Sequence, residues 1–214
     1  MSTPLAGQPH HRAIVAVDIE ASTSRTNPAR AQFRHVLYDL LEAALLRSGI
    51  TEEHRDPLID RGDGILVLIH PVDQAPKTLL LTRVIPILSR LLERHAEEHP
   101  EDRIRLRAAV HAGDVHYDSM GCYGEDVDIT FRLLNSPTLK KTLKQTTKSM
   151  VLVVSQDIHR SVIRHGYPGI DERAYLPLVH VQIAGHRLRG WVQIPEPRAS
   201  MEAEVTVLQP RAAR

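Results

Sequence analysis

Apolar residues recur along this chain with two different spacings. Short runs rich in valine, isoleucine, leucine and alanine are typical of strands. They lie at residues 13–19, 58–60, 65–69, 104–111, 115–117, 151–154, 178–183 and 188–194. Longer stretches in which apolar residues return every three or four positions predict helices over residues 28–46, 76–98 and 156–165. Within residues 121–137, a glycine-rich loop is predicted to enter a further helix.

Turn residues indicate how these elements connect. Residues 61–64, Arg-Gly-Asp-Gly, separate two strand runs and predict a tight hairpin with Asp63 at its tip. Residues 111–114 predict a turn between two strands, and Pro86 predicts a kink in the second helix. Basic and apolar residues alternate before that turn, over residues 104–111, which predicts a strand with one exposed basic face.

The order of strands and helices predicts an α+β domain with a mostly antiparallel sheet covered by helices. We expect this domain to span residues 13–195. Residues 1–12 and 196–214 show no such pattern and are expected to form flexible tails.

The composition is that of an ordinary globular domain. The chain has 214 residues, 42% of them hydrophobic, which is enough to bury one substantial core. Its 27 Lys and Arg against 26 Asp and Glu give a net charge of +1, so we expect neither nucleic acid nor a membrane as a partner. The single cysteine, Cys122, excludes an internal disulfide. With no signal peptide and no membrane-length apolar run, we expect a cytoplasmic protein.

Two aspartates lie where predicted strands meet turns. Asp18 follows the apolar run of residues 13–17, and Asp63 lies in the hairpin turn. A sheet that places these strands side by side brings both carboxylates to one edge. Paired carboxylates suit Mg²⁺, which proteins hold with one or two carboxylates together with substrate phosphates. A turn-forming or helix-capping role for each aspartate is the alternative.

Three segments carry a resemblance to a known family. VAVDIEAST and RGDGILVLI resemble the two metal motifs of the class III nucleotidyl cyclases, which are adenylate/guanylate-type enzymes. LRAAVHAGDV with YGEDVDITFRLLNS resembles their third block. The resemblance covers residues 13–194 in the family's order and indicates a divergent bacterial member of this catalytic-domain family. It implies the ferredoxin-like, palm-type cyclase fold.

The resemblance implies how a nucleoside triphosphate substrate is held. Asp18, Asp63 and the backbone carbonyl of Ile19 would hold two ions, Mg²⁺ or Mn²⁺. The residues implied for the triphosphate are Glu20, Ala21, Ser22, Thr23 and, between the last strands, Arg187. Capping of a short helix by Ser22 and Thr23, and a solvated basic hairpin around Arg187, are the alternatives.

The helix of the third block carries the implied catalytic pair. Arg132 matches the arginine that stabilises charge on the α-phosphate, a task suited to the paired donors of a guanidinium. Asp128 stands where the family has asparagine, four residues before Arg132 and on the same helix face. An acid there would pair with Arg132 or repel phosphate. A surface salt bridge between the two is the alternative.

The base-reading positions depart from the purine cyclases. Ile59 stands in place of their lysine and Gly121 in place of their partner acid or threonine, so neither side chain hydrogen-bonds adenine. Tyr123 is a candidate neighbour of the base. Some small bacterial relatives that make cyclic pyrimidine nucleotides as an anti-phage signal also lack the purine pattern, so UTP and CTP are candidate substrates.

The implied activity is conversion of a nucleoside triphosphate to a 3′,5′-cyclic nucleotide and pyrophosphate. In the family, the metal loops and the arginine helix meet across a homodimer with composite active sites. The competing hypothesis is a catalytically inactive module of the same fold that binds a nucleotide or a partner protein. Asp128, Ile59 and Gly121 favour that module, whereas Asp18, Asp63 and Arg132 together favour the enzyme.

Overall fold

The computed structural model describes residues 7–183 and 185–194, and its centre is an eight-stranded sheet. The strands are β1 His10–Ile19, β2 Ile59–Asp60, β3 Gly64–Ile69, β4 Leu106–Asp118, β5 Gly121–Tyr123, β6 Met150–Ser155, β7 Leu176–Ile183 and β8 His186–Gln193. Their order is β2-β3-β1-β4-β6-β8-β7, with β5 paired to β4 outside this path. Every pair is antiparallel except β4 with β6. The predicted α+β class and mostly antiparallel sheet are confirmed.

Six α-helices surround the sheet within the described ranges. They are α1 Asn27–Arg47, α2 Lys77–Leu79, α3 Ile85–Glu98, α4 Glu125–Leu134, α5 Pro137–Gln145 and α6 Gln156–Ser161. None of them is both long enough and apolar enough to cross a membrane. A π-helical stretch, Leu80–Val84, joins α2 to α3 just before Pro86. Proline has no N–H and crowds the carbonyl four residues earlier, so the hydrogen-bond ladder changes there.

The two faces of the sheet bury different cores. In β1, Val15 and Val17 face a larger core formed with α1, α3 and α6, whereas Ile14 and Ala16 face a second core formed with α4 and α5. Successive side chains of a strand point to opposite faces. Asp18 therefore continues the face that α4 and α5 cover.

Strand β4 corrects two predictions. Residues 111–114 form no turn, because β1 begins at His10 and its first residues pair with this segment, His11 with Asp114 and Arg12 with Gly113. For the same reason residues 10–12 belong to the sheet and not to a tail. The expected exposed basic face is also wrong, since α4 and α5 cover it and Arg107 is only 8% exposed.

Two further differences lie downstream. The glycine-rich segment predicted as a loop forms β5, which pairs with the end of β4. Helix α5 was not predicted, although Ser136 caps its first turn and Pro137 occupies its first position. The expected domain end at 195 and the tail 196–214 lie outside the described residues, as do residues 1–6.

Candidate active site

The pairing of β1 with β3 brings Asp18 and Asp63 to one place. Asp18 is the register partner of Gly64, the residue after Asp63, and the Ile19 amide donates to the Asp63 carbonyl at 3.0 Å. A Cβ at position 64 would overlap the Val17 carbonyl oxygen. Glycine is therefore required for the hairpin to approach β1 this closely.

Both aspartates line one open cleft of about 570 Å³. Its floor is the end of β1 and the start of β4, and its walls are the β2–β3 hairpin, the turn after β1, and helices α4 and α5. The charged residues that line it are Asp18, Glu20, Asp63, Arg61, Arg107, Lys140 and Lys144. Four are basic and three acidic, so the cleft suits an anionic ligand better than the nearly neutral whole chain does.

Asp18 and Arg107 form an ion pair at the floor of the cleft. Arg107 Nη2 donates to Asp18 Oδ2. Burial raises the pKa of Asp18 from 3.8 to about 6, although the charge of Arg107 opposes this rise; the nearby Asp63 carboxylate raises the pKa further. Two carboxylates whose charges repel each other in a partly buried site favour a cation between them.

The turn after β1 forms the side of the cleft next to Asp63. Ser22 donates its hydroxyl to Asp63 Oδ2. Ala21 adopts a left-handed conformation, with φ of 55°, and a 3-10 turn follows it at Ser22–Ser24. Consecutive amides in such a turn form an anion-binding concavity. Within the described ranges, the amides of Ala21 and Ser22 donate no hydrogen bond, so they are available to a ligand.

Glu20 differs from its neighbours in this turn. Its amide donates to the Arg105 carbonyl at 2.8 Å, and its carboxylate pairs with Arg105 Nη1 at 3.1 Å. Both groups are already engaged by Arg105, the residue before β4. The expectation that Glu20 cradles a phosphate through its amide is therefore wrong for this arrangement, whereas Ala21 and Ser22 keep that expectation. Thr23 lies in the same 3-10 turn.

The donor set is compatible with a divalent cation. Asp18 Oδ1 is buried and has no hydrogen-bond partner, and an orphaned buried oxygen requires a donor or a cation. No group of three or more His, Cys, Asp or Glu within residues 7–183 and 185–194 is arranged as a metal site. A sparse set of two carboxylates and a carbonyl resembles Mg²⁺ sites that rely on substrate phosphates for their remaining ligands.

Comparison with known proteins shows similarity at the level of the fold. No protein-family model matches the sequence, and no curated protein matches it significantly. An adenylate/guanylate cyclase/hydrolase from Silicibacter pomeroyi superimposes with a TM-score of 0.60 over 89% of this chain and 99% of its own, at 16% identity. The chain has the catalytic-domain fold of the class III nucleotidyl cyclases.

Two further solved structures share this cyclase fold. The adenylyl cyclase CyaB from P. aeruginosa matches with a TM-score of 0.59 over 89% of this chain and 97% of its own, at 11% identity. The guanylate cyclase domain of RhGC from Catenaria anguillulae, solved in complex with GTP, matches with a TM-score of 0.55 over 87% of this chain and 98% of its own, at 12% identity. Nearly the whole of each cyclase chain is therefore covered.

Within this cyclase fold, three predicted residues lie away from the cleft. Arg132 and Asp128 are exposed on α4, whose Phe131, Leu134 and Asn135 line the cleft instead. No ion pair joins Arg132 to Asp128 within the described part of the chain, so the alternative of a surface salt bridge between them does not hold. Arg187 is exposed on β8, which is separated from β1 by β4 and β6.

The predicted base-pocket residues also lie outside the cleft of a single chain. Ile59 is partly buried in β2 and packs on the second core. Gly121 and Tyr123 lie in β5, where the Tyr123 ring stacks on His116 with centroids 5.5 Å apart. The geometry of one chain therefore brings together the aspartates and the turn after β1, but not the arginine or the base-reading positions.

Sequence reasoning missed most of the basic residues of the cleft. The Arg61 guanidinium lies 4.6 Å from the centre of the Phe131 ring, so this hairpin residue packs against α4. Arg107 lay in a segment predicted to be an exposed strand, and Lys140 and Lys144 in a helix that was not predicted. The signal that could have located Arg107 is its alternation with Ala109 and His111 along β4.

Proposed function

We propose that this chain is a nucleotidyl cyclase that converts a nucleoside triphosphate to a 3′,5′-cyclic nucleotide and pyrophosphate. The observation that carries the proposal is the meeting of Asp18 and Asp63 in one cleft of a cyclase-type fold. The neighbour from Catenaria anguillulae, solved with GTP, supports a nucleoside triphosphate as the substrate class.

Asp18, Asp63 and the Ile19 carbonyl would hold Mg²⁺ or Mn²⁺, two ions in all. When bound, these ions supply positive charge to the phosphates and lower the pKa of the ribose 3′-hydroxyl. The two carboxylates would fix the position of the ions, and the amides of Ala21 and Ser22 donate hydrogen bonds to the phosphate oxygens. Arg107 donates to phosphate from the floor of the cleft. A phosphate oxygen then replaces the Asp18 carboxylate as its hydrogen-bond acceptor.

The reaction needs no dedicated protein base. The 3′-oxygen attacks the α-phosphorus of the same nucleotide, and its proton passes to solvent. The bond between the α-phosphorus and the bridging oxygen breaks, and pyrophosphate leaves with the bonding electron pair. The chain's part is to align these atoms and to stabilise the charge that develops on the phosphates.

We further propose a homodimer whose active sites are composite. Arg132 is exposed and outside the cleft of its own chain, which supports its acting on the α-phosphate held by a second copy. Arg187, Gly121 and Tyr123 also lie outside the cleft of their own chain. Their positions support roles in the active site of a second copy. Asp128 is exposed four residues before Arg132 on α4, and its carboxylate would compete with the phosphate for Arg132 or repel the phosphate.

The positions that read the base in purine cyclases carry no hydrogen-bonding side chain in this protein. Ile59 packs among apolar neighbours and Gly121 has no side chain, so neither reads adenine in the way that purine cyclases do. This supports UTP or CTP as the substrate, and with it a role in anti-phage signalling.

A nucleotide-binding module without turnover is the second candidate. It is favoured by the ion pair between Asp18 and Arg107, which already neutralises one carboxylate, and by Asp128 at the family's asparagine position. Incubation with ATP, GTP, CTP and UTP, each with Mn²⁺ or Mg²⁺, separates the two. A cyclic product identified by mass spectrometry supports the enzyme, and saturable binding of a nucleotide that is returned intact supports the module.

A further inference from the structure

Helix α5 is fixed over the cleft by contacts along its whole length. Ser136 accepts a hydrogen bond from the Leu139 amide at its start, and Leu139 and Leu143 are fully buried in the second core. Arg105 donates to the carbonyls of Leu143 and Thr146 at its end. Capping of the last carbonyls by a guanidinium is a recognised way to stabilise a helix end. The orientation of α5 relative to the cleft is therefore well defined.

Two lysines on this helix face the cleft. Lys140 and Lys144 are one helical turn apart, and both line the cleft with Asp18. Both are exposed, and within the described ranges neither ammonium group makes a hydrogen bond or an ion pair. The charge of Lys140 lowers the pKa of Asp18, which places it within electrostatic reach of that carboxylate. Lys141, between them, does not line the cleft.

A buried arginine completes the basic side of the cleft. Arg107 is 8% exposed and lines the floor, and its Nε and Nη1 atoms are buried with no hydrogen-bond partner. Buried donors without acceptors are rare in folded proteins and carry a free-energy cost. An acceptor-rich ligand in the cleft would remove that cost. Glu20 does not supply this acceptor, because Arg105 already neutralises it.

We propose that Lys140 and Lys144 of α5, together with Arg107, form a polyphosphate subsite in the same chain as Asp18 and Asp63. The proposal rests on the proposed function, because it assigns these residues to the pyrophosphate part of the substrate. A polyphosphate supplies the closely spaced anionic oxygens that three cations around one cleft require. The subsite allows one chain to bind a polyphosphate by itself, whereas turnover also requires residues of a second copy, Arg132 above all.

Binding of inorganic tripolyphosphate tests this subsite without any cyclisation. Calorimetry is carried out on the full chain with and without Mg²⁺, for wild type, Lys140→Gln, Lys144→Gln and the double variant. Loss of one charge-assisted contact is expected to weaken binding about tenfold, and the double variant to weaken it more. Lys141→Gln, on the same helix but outside the cleft, is the matched control and should change the affinity less than about twofold.

The outcomes separate this proposal from the cyclase proposal. Wild type that does not bind tripolyphosphate, a double variant that binds it as tightly as wild type, or a Lys141→Gln effect equal to that of Lys140→Gln overturns the subsite. Lysine-dependent binding supports it even when no cyclic product forms, and in that case only the cyclase activity fails. If cyclic product does form, the double variant should raise KM at least about tenfold while changing kcat less.

Discussion

Arg107 and Asp18 face each other as register partners on β4 and β1, and the arginine donates to one oxygen of the carboxylate. The other oxygen, Oδ1, is buried without a partner. Two of the Arg107 nitrogens are also unpartnered, so each side chain has a hydrogen-bonding group that the ion pair does not use. A ligand that carries both anionic oxygens and a cation would satisfy both residues at once, as a metal-bound triphosphate does.

The raised pKa of Asp18 predicts how stability changes with pH. Between about pH 4 and 6 the folded chain keeps a proton on Asp18 that the unfolded chain has released, because burial raises the pKa to about 6. The free energy of unfolding contributed by this group therefore falls as pH rises through that window and is constant above it. A shift of this size corresponds to at most about 3 kcal/mol.

The measurement is urea unfolding without divalent cations, at several pH values from 4 to 7. Relative to wild type, Asp18→Asn should gain stability steadily from pH 4 to 6, whatever constant offset the lost ion pair adds. Asp39→Asn, which changes an exposed acid on α1, is the control. If the difference between Asp18→Asn and wild type is the same at every pH, the raised pKa is wrong.

The composite dimer predicts complementation between inactive variants. Asp63→Asn removes the metal half of a site and Arg132→Ala the other half, so each homodimer should be inactive. In a mixed dimer, one active site contains both substitutions and the other contains neither. Random mixing should restore roughly a quarter of the wild-type sites. Activity of the mixture is measured against each variant alone.

A second mixture provides the control for this experiment. Asp18→Asn and Asp63→Asn affect the same half, so their mixed dimer has no intact site and should stay inactive. Recovery in this control, or none in stable mixed dimers of the first pair, contradicts sites shared between chains.

A partly buried hydrogen-bond network holds α4 against the sheet. The Asp126 carboxylate accepts from the Asp114 amide at 2.6 Å and contacts His111 Nε2 at 2.8 Å, while His111 Nδ1 lies 2.7 Å from the Ser155 hydroxyl. A Cβ on Gly113 would overlap that carboxylate. Gly113→Ala should therefore destabilise the fold by about 2 to 4 kcal/mol, through overpacking and the lost hydrogen bonds.

A double-mutant cycle tests this cause. Asp126→Ala removes the obstructing carboxylate, so adding Gly113→Ala to it should cost much less than it does in wild type. Denaturant unfolding gives the four free energies. Additive effects of the two substitutions would show that Gly113 matters for a reason other than its contact with Asp126.

The turn after β1 contains a strained residue. Ala21 has a φ of 55°, a conformation that costs a residue with a Cβ about 1–2 kcal/mol, and its side chain is exposed. Ala21→Gly should raise the free energy of unfolding by about 0.5–1 kcal/mol, since it relieves strain without removing buried surface. Ala31→Gly, exposed within α1, should instead lower it by about 1 kcal/mol. A loss of stability in Ala21→Gly contradicts the strain.

The sequence was informative where structure is local. Residues 13–19 and 65–69 have the apolar composition of buried strands, and a glycine-flanked turn such as 61–64 has few alternatives to a hairpin, so these elements and the fold class could be predicted. The turn expected at 111–114 was wrong because its outcome depends on pairing with β1, which is about 100 residues away in sequence.

The site was predictable only in part for the same physical reason. Asp18 and Asp63 stand at strand ends, so a sheet that pairs the strands brings them together. The positions of Arg107, Lys140 and Lys144 depend on how α4 and α5 pack on β4, and no periodicity within one segment encodes that packing. The catalytic roles of Arg132 and Asp128 and the base-reading roles of Gly121 and Tyr123 stay predictions, since they concern a second copy of the chain. The role of Ile59 also stays a prediction, because Ile59 lies outside the cleft.

The product formed from a nucleoside triphosphate tests the central claim most directly. Wild type and Asp63→Asn are incubated with the four nucleoside triphosphates and Mn²⁺, and cyclic nucleotide and pyrophosphate are quantified by mass spectrometry and a pyrophosphate assay. We predict equal molar amounts of the two products from at least one nucleotide with wild type. Asp63→Asn should fall more than about 100-fold, since loss of even an outer partner of a metal ligand costs 10–100-fold. Intact nucleotides throughout, or pyrophosphate accompanied only by linear monophosphate, would contradict a cyclase.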